Sequence, residues 1–263
     1  MLILATNDDG VYSPGLAILA KAMKELGDVV VVAPDKEQSA VAHSLTLHRP
    51  LLLEEVREGV YACNGTPTDC VHLAVNGLLT RRPDLIVSGI NKGGNLGDDV
   101  TYSGTVSAAL EAAIMGIPAI AFSMVARQDF KFGAAVEFAR ELAAHVLEGG
   151  MKKDTLLNVN VPNVNADEIK GVRLTRQGRR IYGGTVLERI DPRGKKYYWI
   201  GGETDNWVED PMADHDAVRD GYISVTPLKF DMTDHGSLDS PGAWDWLAGY
   251  GNINKADSPG RAG

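Results

Sequence analysis

The chain has 263 residues, 44% of them hydrophobic, and a formal net charge of −9. That length and apolar content can bury a sizeable core, which excludes a disordered chain, and the acidic balance excludes broad contact with nucleic-acid backbone, which is bound through clustered Lys and Arg. Cys63 and Cys70 form no C-x-x-C pair and no zinc-type spacing, so neither a disulfide framework nor a structural zinc site is expected.

From the N-terminus to residue 161, short apolar runs alternate with amphipathic stretches, the pattern of βα units around a parallel sheet. Leu2 to Ala5, Val29 to Ala33, Leu85 to Ser88, Ala119 to Phe122 and Leu156 to Val161 read as strands. They are rich in Val, Ile and Leu without alternation, as strands covered on both faces are. Ser13-Pro14 and Thr66-Pro67 each place a hydroxyl at a helix N-cap and a proline at the first helical position, with Asp69 completing an acidic capping box after Thr66. Apolar residues at helical spacing follow in Leu16 to Leu26, Cys70 to Leu79 and Val106 to Met115, and Phe132 to Leu147 forms a longer helix. The fold class is therefore α/β, a Rossmann-like, mostly parallel sheet flanked by helices.

After residue 161 the pattern changes: VRLTRQG, KKYYWIGG and GYISVTP read as strands separated by Gly, Pro and charged turns. The expected division is an α/β catalytic core over 1–161 and a β-rich extension over 162–263. The extension would carry a β-hairpin arm and a terminal helix near Ser240 to Tyr250, and ADSPGRAG would be a frayed end. Tyr197, Tyr198, Trp199 and Trp207 suit either packing within the chain or burial against a second subunit.

The sequence NDDG, residues 7–10, sets Asp8 and Asp9 directly after the first strand, with Gly10 permitting a turn there. In open α/β sheets, ligands bind beyond the carboxyl ends of the strands. Two carboxylates roughly 4 Å apart repel by about 4 kcal/mol at an effective dielectric near 20, a cost that a divalent cation removes. A solvated turn that caps a helix explains the pair equally well at this point. The second strand ends in Asp35-Lys36-Glu37-Gln38-Ser39, where Ser39 offers a neutral oxygen to a hard cation. The strand DLIVSG leads into a glycine-rich loop from Asn91 to Asp99, and Ser103-Gly104-Thr105 then opens a helix. Backbone donors, two hydroxyls and the positive end of the helix dipole would converge there on a phosphate; an ordinary N-cap is the competing reading.

The loop lacks the GK[ST] ending of a P-loop, and no G-x-G-x-x-G follows the first strand. A haloacid-dehalogenase-type phosphatase would read D-x-D-G-[TV], but its nucleophilic position is here Asn7, whose amide cannot make that attack. The economical chemistry left is in-line attack of water on phosphorus with a metal ion neutralising charge.

NDDG, PD-x-x-QS at 34–39, GTP-x-DC at 65–70 and SGIN-x-G-x-N-x-G-x-D-x-x-YSGTV-x-AA from Ser88 occur in that order. Together they resemble the SurE family, the survival-protein nucleotidases, over about residues 1 to 125. A weaker match follows in P-L-x-x-D at Asp231 and in His235. The resemblance implies a metal-dependent phosphatase acting on nucleoside 5′-monophosphates, on 3′-monophosphates, and on short polyphosphate. It implies that Asp8, Asp9, Ser39 and Asn91 hold one divalent cation per subunit, Mg²⁺ or Mn²⁺. Asp8 and Asp9 would be the catalytic carboxylates, one of them, Asp8 in preference to Asp9, assisting the attacking water. Asn95 and Ser103-Gly104-Thr105 would contact phosphate. It further implies a homodimer or homotetramer built through the C-terminal arm. Ala40 departs from the glycine that the pattern has after Ser39. His43 and His235 are left open: each suits either a role at the substrate or none.

Two other classes stay in view. One is a non-catalytic module that senses a nucleotide through the glycine loop; the other is a receiver-type domain, disfavoured because the central strand ends in SGIN without a phospho-accepting Asp. The N-terminal MLILATNDDG lacks the basic segment and long apolar run of a signal peptide, and Glu111 and Gly116-Ile117-Pro118 interrupt the longest apolar stretch. A cytoplasmic protein without membrane or nucleic-acid partners is the expectation.

Overall fold

Each apolar run without alternation forms a strand buried from both sides. The computed structural model describes residues 1–152, 154–181, 186–200, 206–238, 240 and 242–250, and the final ADSPGRAG lies outside them. In chain order the strands are β1 (Leu2–Thr6), β2 (Asp28–Pro34), β3 (Leu53–Arg57), β4 (Val60–Cys63), β5 (Leu85–Lys92), β6 (Ala119–Val125), β7 (Leu156–Pro162), β8 (Val172–Leu174), β9 (Val186–Ile190), β10 (Lys196–Ile200) and β11 (Ile223–Leu228). The helices are α1 (Pro14–Met23), α2 (Pro67–Leu73), α3 (Gly104–Ile114), α4 (Gly133–Leu147) and α5 (Asp214–Arg219). One nine-stranded sheet runs β3-β4-β2-β1-β5-β6-β7-β11-β8, parallel from β4 to β7 and antiparallel at the β3–β4 and β7–β11 pairs.

Successive β1 side chains serve opposite cores. Ile3 and Ala5 pack with α1 and α4, whereas Leu4 packs with α2 and α3. The sheet grows from β1 toward β2 on one side and toward β5 on the other. This reversal of strand order opens a crevice at the carboxyl ends of β1 and β5, where open sheets bind ligands.

Helix starts follow their chemistry. Thr66 and Asp69 form a complete capping box at α2, whose end continues as a π turn over Ala74–Leu78. Ser13 precedes Pro14 at α1 without a side-chain cap bond, because its hydroxyl turns toward Asp9.

Two of the strands read after residue 161, β8 and β11, join the main sheet, where α5 also packs against β11. KKYYWIGG supplies β10, which pairs with β9 as a separate two-stranded ribbon. The compact units run Met1–Phe230 and from Asp231 onward. Within the second, His235–Leu238 forms one helical turn and Asp245–Tyr250 a 3-10 turn. Among the described residues, no helix is long and apolar enough to cross a membrane.

Candidate active site

Asp8 and Asp9 follow β1 where Gly10, at φ +97°, turns the chain; an L side chain rarely adopts that backbone. The Asn7 side-chain amide closes the same turn by donating to the Gly10 carbonyl at 3.0 Å. Gln38 N–H donates to the Asp8 carbonyl at 2.8 Å, so the loop carrying Ser39 is pinned to the carboxylate turn. From the other side, the Lys92 backbone N–H at the end of β5 reaches Asp9 Oδ2 at 3.2 Å. The start of α3 lies against Asp8. A Cβ on Gly104 would fall 2.8 Å from Asp8 Cβ, so only glycine permits this approach.

The resulting cleft, about 310 Å³, is lined by Asp8, Asp9, Ser39, Asn91, Asn95 and Ser103, with Lys92, Asp99, Tyr102 and Arg180 beside them. Gly104 and Thr105 lie under its floor, against Asp8. All eight residues singled out in the sequence therefore meet at one place, drawn from four separate segments.

Burial raises the Asp8 carboxyl to about 6, and the neighbouring Asp9 charge adds to the shift; the Thr105 hydroxyl, which donates to Asp8 Oδ1, opposes it. Burial also raises Asp9, against the pull of the Lys92 charge and backbone N–H. Two crowded carboxylates with raised proton affinity are what a cation would neutralise. Asn91 donates through its amide nitrogen to the Gly93 carbonyl at 2.9 Å, which leaves the side-chain oxygen to face a ligand. Among the described residues, no three His, Cys, Asp or Glu side chains gather as a metal site. A cation here would rest on two carboxylates plus the neutral oxygens of Ser39 and Asn91. This all-oxygen set fits Mg²⁺ or Mn²⁺ rather than zinc.

Ser103 is the N-cap of α3, its Oγ accepting from Val106 N–H at 3.1 Å. Thr105 is fully buried and spends its hydroxyl proton on Asp8. The start of α3 meets the cleft at Ser103, and a helix start is where free backbone N–H groups and the positive dipole end suit an anion. Asn95 is fixed by a buried amide cluster: its N–H donates to Asn160 Oδ1 at 2.8 Å, and its amide nitrogen donates to Ser123 Oγ at 2.7 Å. Asn158 and Asn160 in turn donate to the Asn95 carbonyl at 2.8 and 2.9 Å.

A profile of the survival protein SurE matches residues 3–184, about two thirds of the chain. The chain belongs to the SurE family. It is 53% identical over 249 residues to the 5′-nucleotidase SurE of Geobacter sulfurreducens, covering 94% of this chain and 95% of that one. The 5′-nucleotidase SurE of Syntrophotalea carbinolica is 54% identical over 247 residues, covering 93% and 97%. The crystal structure of the SurE protein from Aquifex aeolicus superposes with a TM-score of 0.84 at 46% identity, covering 93% of this chain and all of that one.

Within the SurE match lie groups that the sequence reading passed over. Arg180 comes to the cleft from beyond β8, held by Asp99 at 2.7 Å and with its own N–H on Asp98 at 3.0 Å. Nothing local in RQGRR marks that position. Asn158 and Asn160 were visible in principle, because LLNVNVP sets two amides in a strand otherwise buried and apolar. His43 does not reach the carboxylate pair; its Nε2 lies 2.9 Å from Glu111 Oε2. His235 lies in the second unit, where its Nε2 sits 2.6 Å from Asp231 Oδ2; hydrogen bonds from Thr233, with that imidazole second, hold the carboxyl below its usual range.

Proposed function

We propose that this protein is a metal-dependent phosphatase that hydrolyses nucleoside 5′-monophosphates to nucleoside and inorganic phosphate. Its range would extend to 3′-monophosphates and short polyphosphate. The observation that carries the proposal is the meeting of the Asp8–Asp9 pair, the Asn91 oxygen and the start of α3 in one cleft at the sheet's reversal point. The activity printed for relatives above 50% identity over nearly the whole chain supports it.

In this reading Asp8, Asp9, Ser39 and Asn91 hold one Mg²⁺ or Mn²⁺. When bound, the cation neutralises charge on the phosphoryl group and orients it for in-line attack. Asn95 through its amide, Ser103 through its hydroxyl, and Gly104 and Thr105 through backbone N–H hold the phosphate oxygens, with Lys92 and Arg180 supplying positive charge at the rim. Asp8, at the turn after β1 and lining the cleft, takes the proton from the attacking water. Asp9, anchored through Oδ2 by Lys92 N–H and Ser13, keeps its other oxygen for the cation.

The same reading places the enzyme in the cytoplasm as a homodimer or homotetramer. A two-stranded ribbon is marginal alone, and β9–β10 exposes Val186, Ile190, Tyr198 and Trp199, which a second subunit would cover. The division into a 1–161 catalytic core and a 162–263 extension is proposed in this functional sense, with the extension supplying the oligomer contacts.

The deciding experiment is phosphate release from a panel of nucleoside 5′- and 3′-monophosphates and tripolyphosphate, with Mg²⁺, Mn²⁺ or EDTA. Activity untouched by EDTA would rule out the metal mechanism. Asp9→Asn should abolish turnover with an unchanged circular dichroism spectrum.

A further inference from the structure

Glu111 lies two turns into α3, only 5% exposed, in a helix otherwise made of small and apolar residues. Burying a carboxylate there is costly unless it is paired. Its two partners are imidazoles from different segments: His43 Nε2 at 2.9 Å, from the loop after β2, and His72 Nδ1 at 3.1 Å, from α2. The carboxylate therefore ties three segments to one point.

The loop that His43 belongs to needs such a tie. Ser39 and Ala40 are exposed, as are Leu45 and Leu47, so little apolar burial holds the segment. Ala40 and Ala42 stand at φ +55° and +52°, the left-handed region that alanine avoids, so the loop keeps this path only if its surroundings enforce it. The enforcing contacts are few and polar. Ala42 N–H donates to the Tyr102 carbonyl at 3.3 Å, Thr46 N–H to Asp69 Oδ1 at 2.8 Å, and Thr66 Oγ1 to the Ser44 carbonyl at 2.8 Å. The His43–Glu111 contact is the one among them anchored inside α3, the helix whose first turn forms the phosphate side of the cleft.

We infer that Glu111 is a positioning residue: through His43 it clamps the Ser39 loop to α3, fixing the distance between the cation side and the phosphate side of the cleft. The inference rests on the cation role proposed above for Ser39. Neither Glu111 nor His43 touches substrate in this account. Six residues separate Glu111 from Thr105, about 9 Å along a rigid helix, so a tie at Glu111 holds the loop in register with the Ser103-Gly104-Thr105 start. His72 holds the far carboxylate oxygen and keeps Glu111 from rotating away.

The test compares wild type with His43→Ala, Glu111→Gln and the double variant, with His48→Ala on the exposed part of the same loop as control. Three quantities are read: deuterium uptake over residues 38–46 in EDTA-treated protein, Mn²⁺ affinity by calorimetry, and KM and kcat for a nucleoside 5′-monophosphate. His43 is on a surface loop, so that variant folds even if the helix variant does not. The clamp predicts faster uptake over 38–46 and Mn²⁺ affinity weaker by about tenfold in each single variant, the effect seen when groups supporting a metal ligand are removed. It also predicts that the double variant is no worse than the poorer single one. Unchanged uptake, additive losses, or a fall in kcat from His43→Ala with Mn²⁺ affinity intact would each overturn it, the last by making His43 a direct participant. Wild-type protein that binds no Mn²⁺ overturns the cation reading instead, and the metal-free uptake comparison then decides the clamp by itself.

Discussion

Replacing Asp8 by Asn should stabilise the metal-free protein while destroying its activity. Asp8 is 7% exposed, and its carboxyl stands at about 6 against an ordinary 3.8. Below the lower value both folded and unfolded chains carry the proton and nothing is lost. As pH rises past it, the unfolded chain ionises while the folded one resists, so stability falls until the folded carboxyl ionises near pH 6. The gap of roughly two units, at 1.36 kcal/mol each, costs the folded state about 3 kcal/mol at pH 7. Asn is nearly isosteric and its oxygen still accepts from Thr105, so the variant removes the charge and keeps the contact. In EDTA at pH 7.5 the melting temperature should rise by roughly 6–12 °C for a chain of this size, and the decline in stability between about pH 4 and 6 should flatten. Scanning calorimetry across that pH range measures both. A variant that melts at or below the wild-type temperature at pH 7.5 would refute the reasoning, because burial would then not be what raises the Asp8 carboxyl.

Gly104→Ala would push a methyl group to within 2.9 Å of the Asp8 carboxylate; we expect a stability loss of about 1–3 kcal/mol by urea denaturation and turnover reduced at least a hundredfold. Ala40→Gly relieves a left-handed alanine and should raise stability by up to about 1 kcal/mol in thermal melts in EDTA. Thr66→Ala removes both the α2 capping box and the bond to the Ser44 carbonyl, and should cost about 1 kcal/mol in chemical denaturation. Trp199→Ser in the β9–β10 ribbon should lower the molar mass seen by light scattering, and an unchanged mass would remove that ribbon from the interface.

The central sheet was legible because its strands are apolar on both faces, a composition that few other elements need. β3 and β4 escaped notice: LEEVR is largely exposed at the sheet edge, and VYAC is only four residues long. α5 was also missed, since six residues with three charges, DHDAVR, show no helical period. At the site, topology carries strand ends to one crevice, which marked Asp8, Asp9 and Ser39, whereas Asn91 and Asn95 were named through the SurE resemblance. Arg180 arrives through long-range packing that no local spacing encodes, whereas Asn158 and Asn160 stand out as amides in an apolar strand that does not itself say what they hold. Glu111 was read only as a break in an apolar stretch, although a carboxylate among buried alanines already asks for a partner. Ala40 shows the converse: glycine was expected after Ser39, and φ +55° at that position gives the physical reason for the expectation.

The bond between Thr105 and Asp8 spans 97 residues of sequence, and β1 pairs with β5 in the register Ile3–Leu85. During synthesis the acidic turn therefore emerges long before anything that can complete it. A nascent chain ending before β5 carries both carboxylates with neither Asn91 nor α3, and it has no reason to perturb their ionisation. The cleft comes into being only when these distant contacts close, which places it among the later events of folding and makes the raised Asp8 carboxyl a spectroscopic marker of finished assembly.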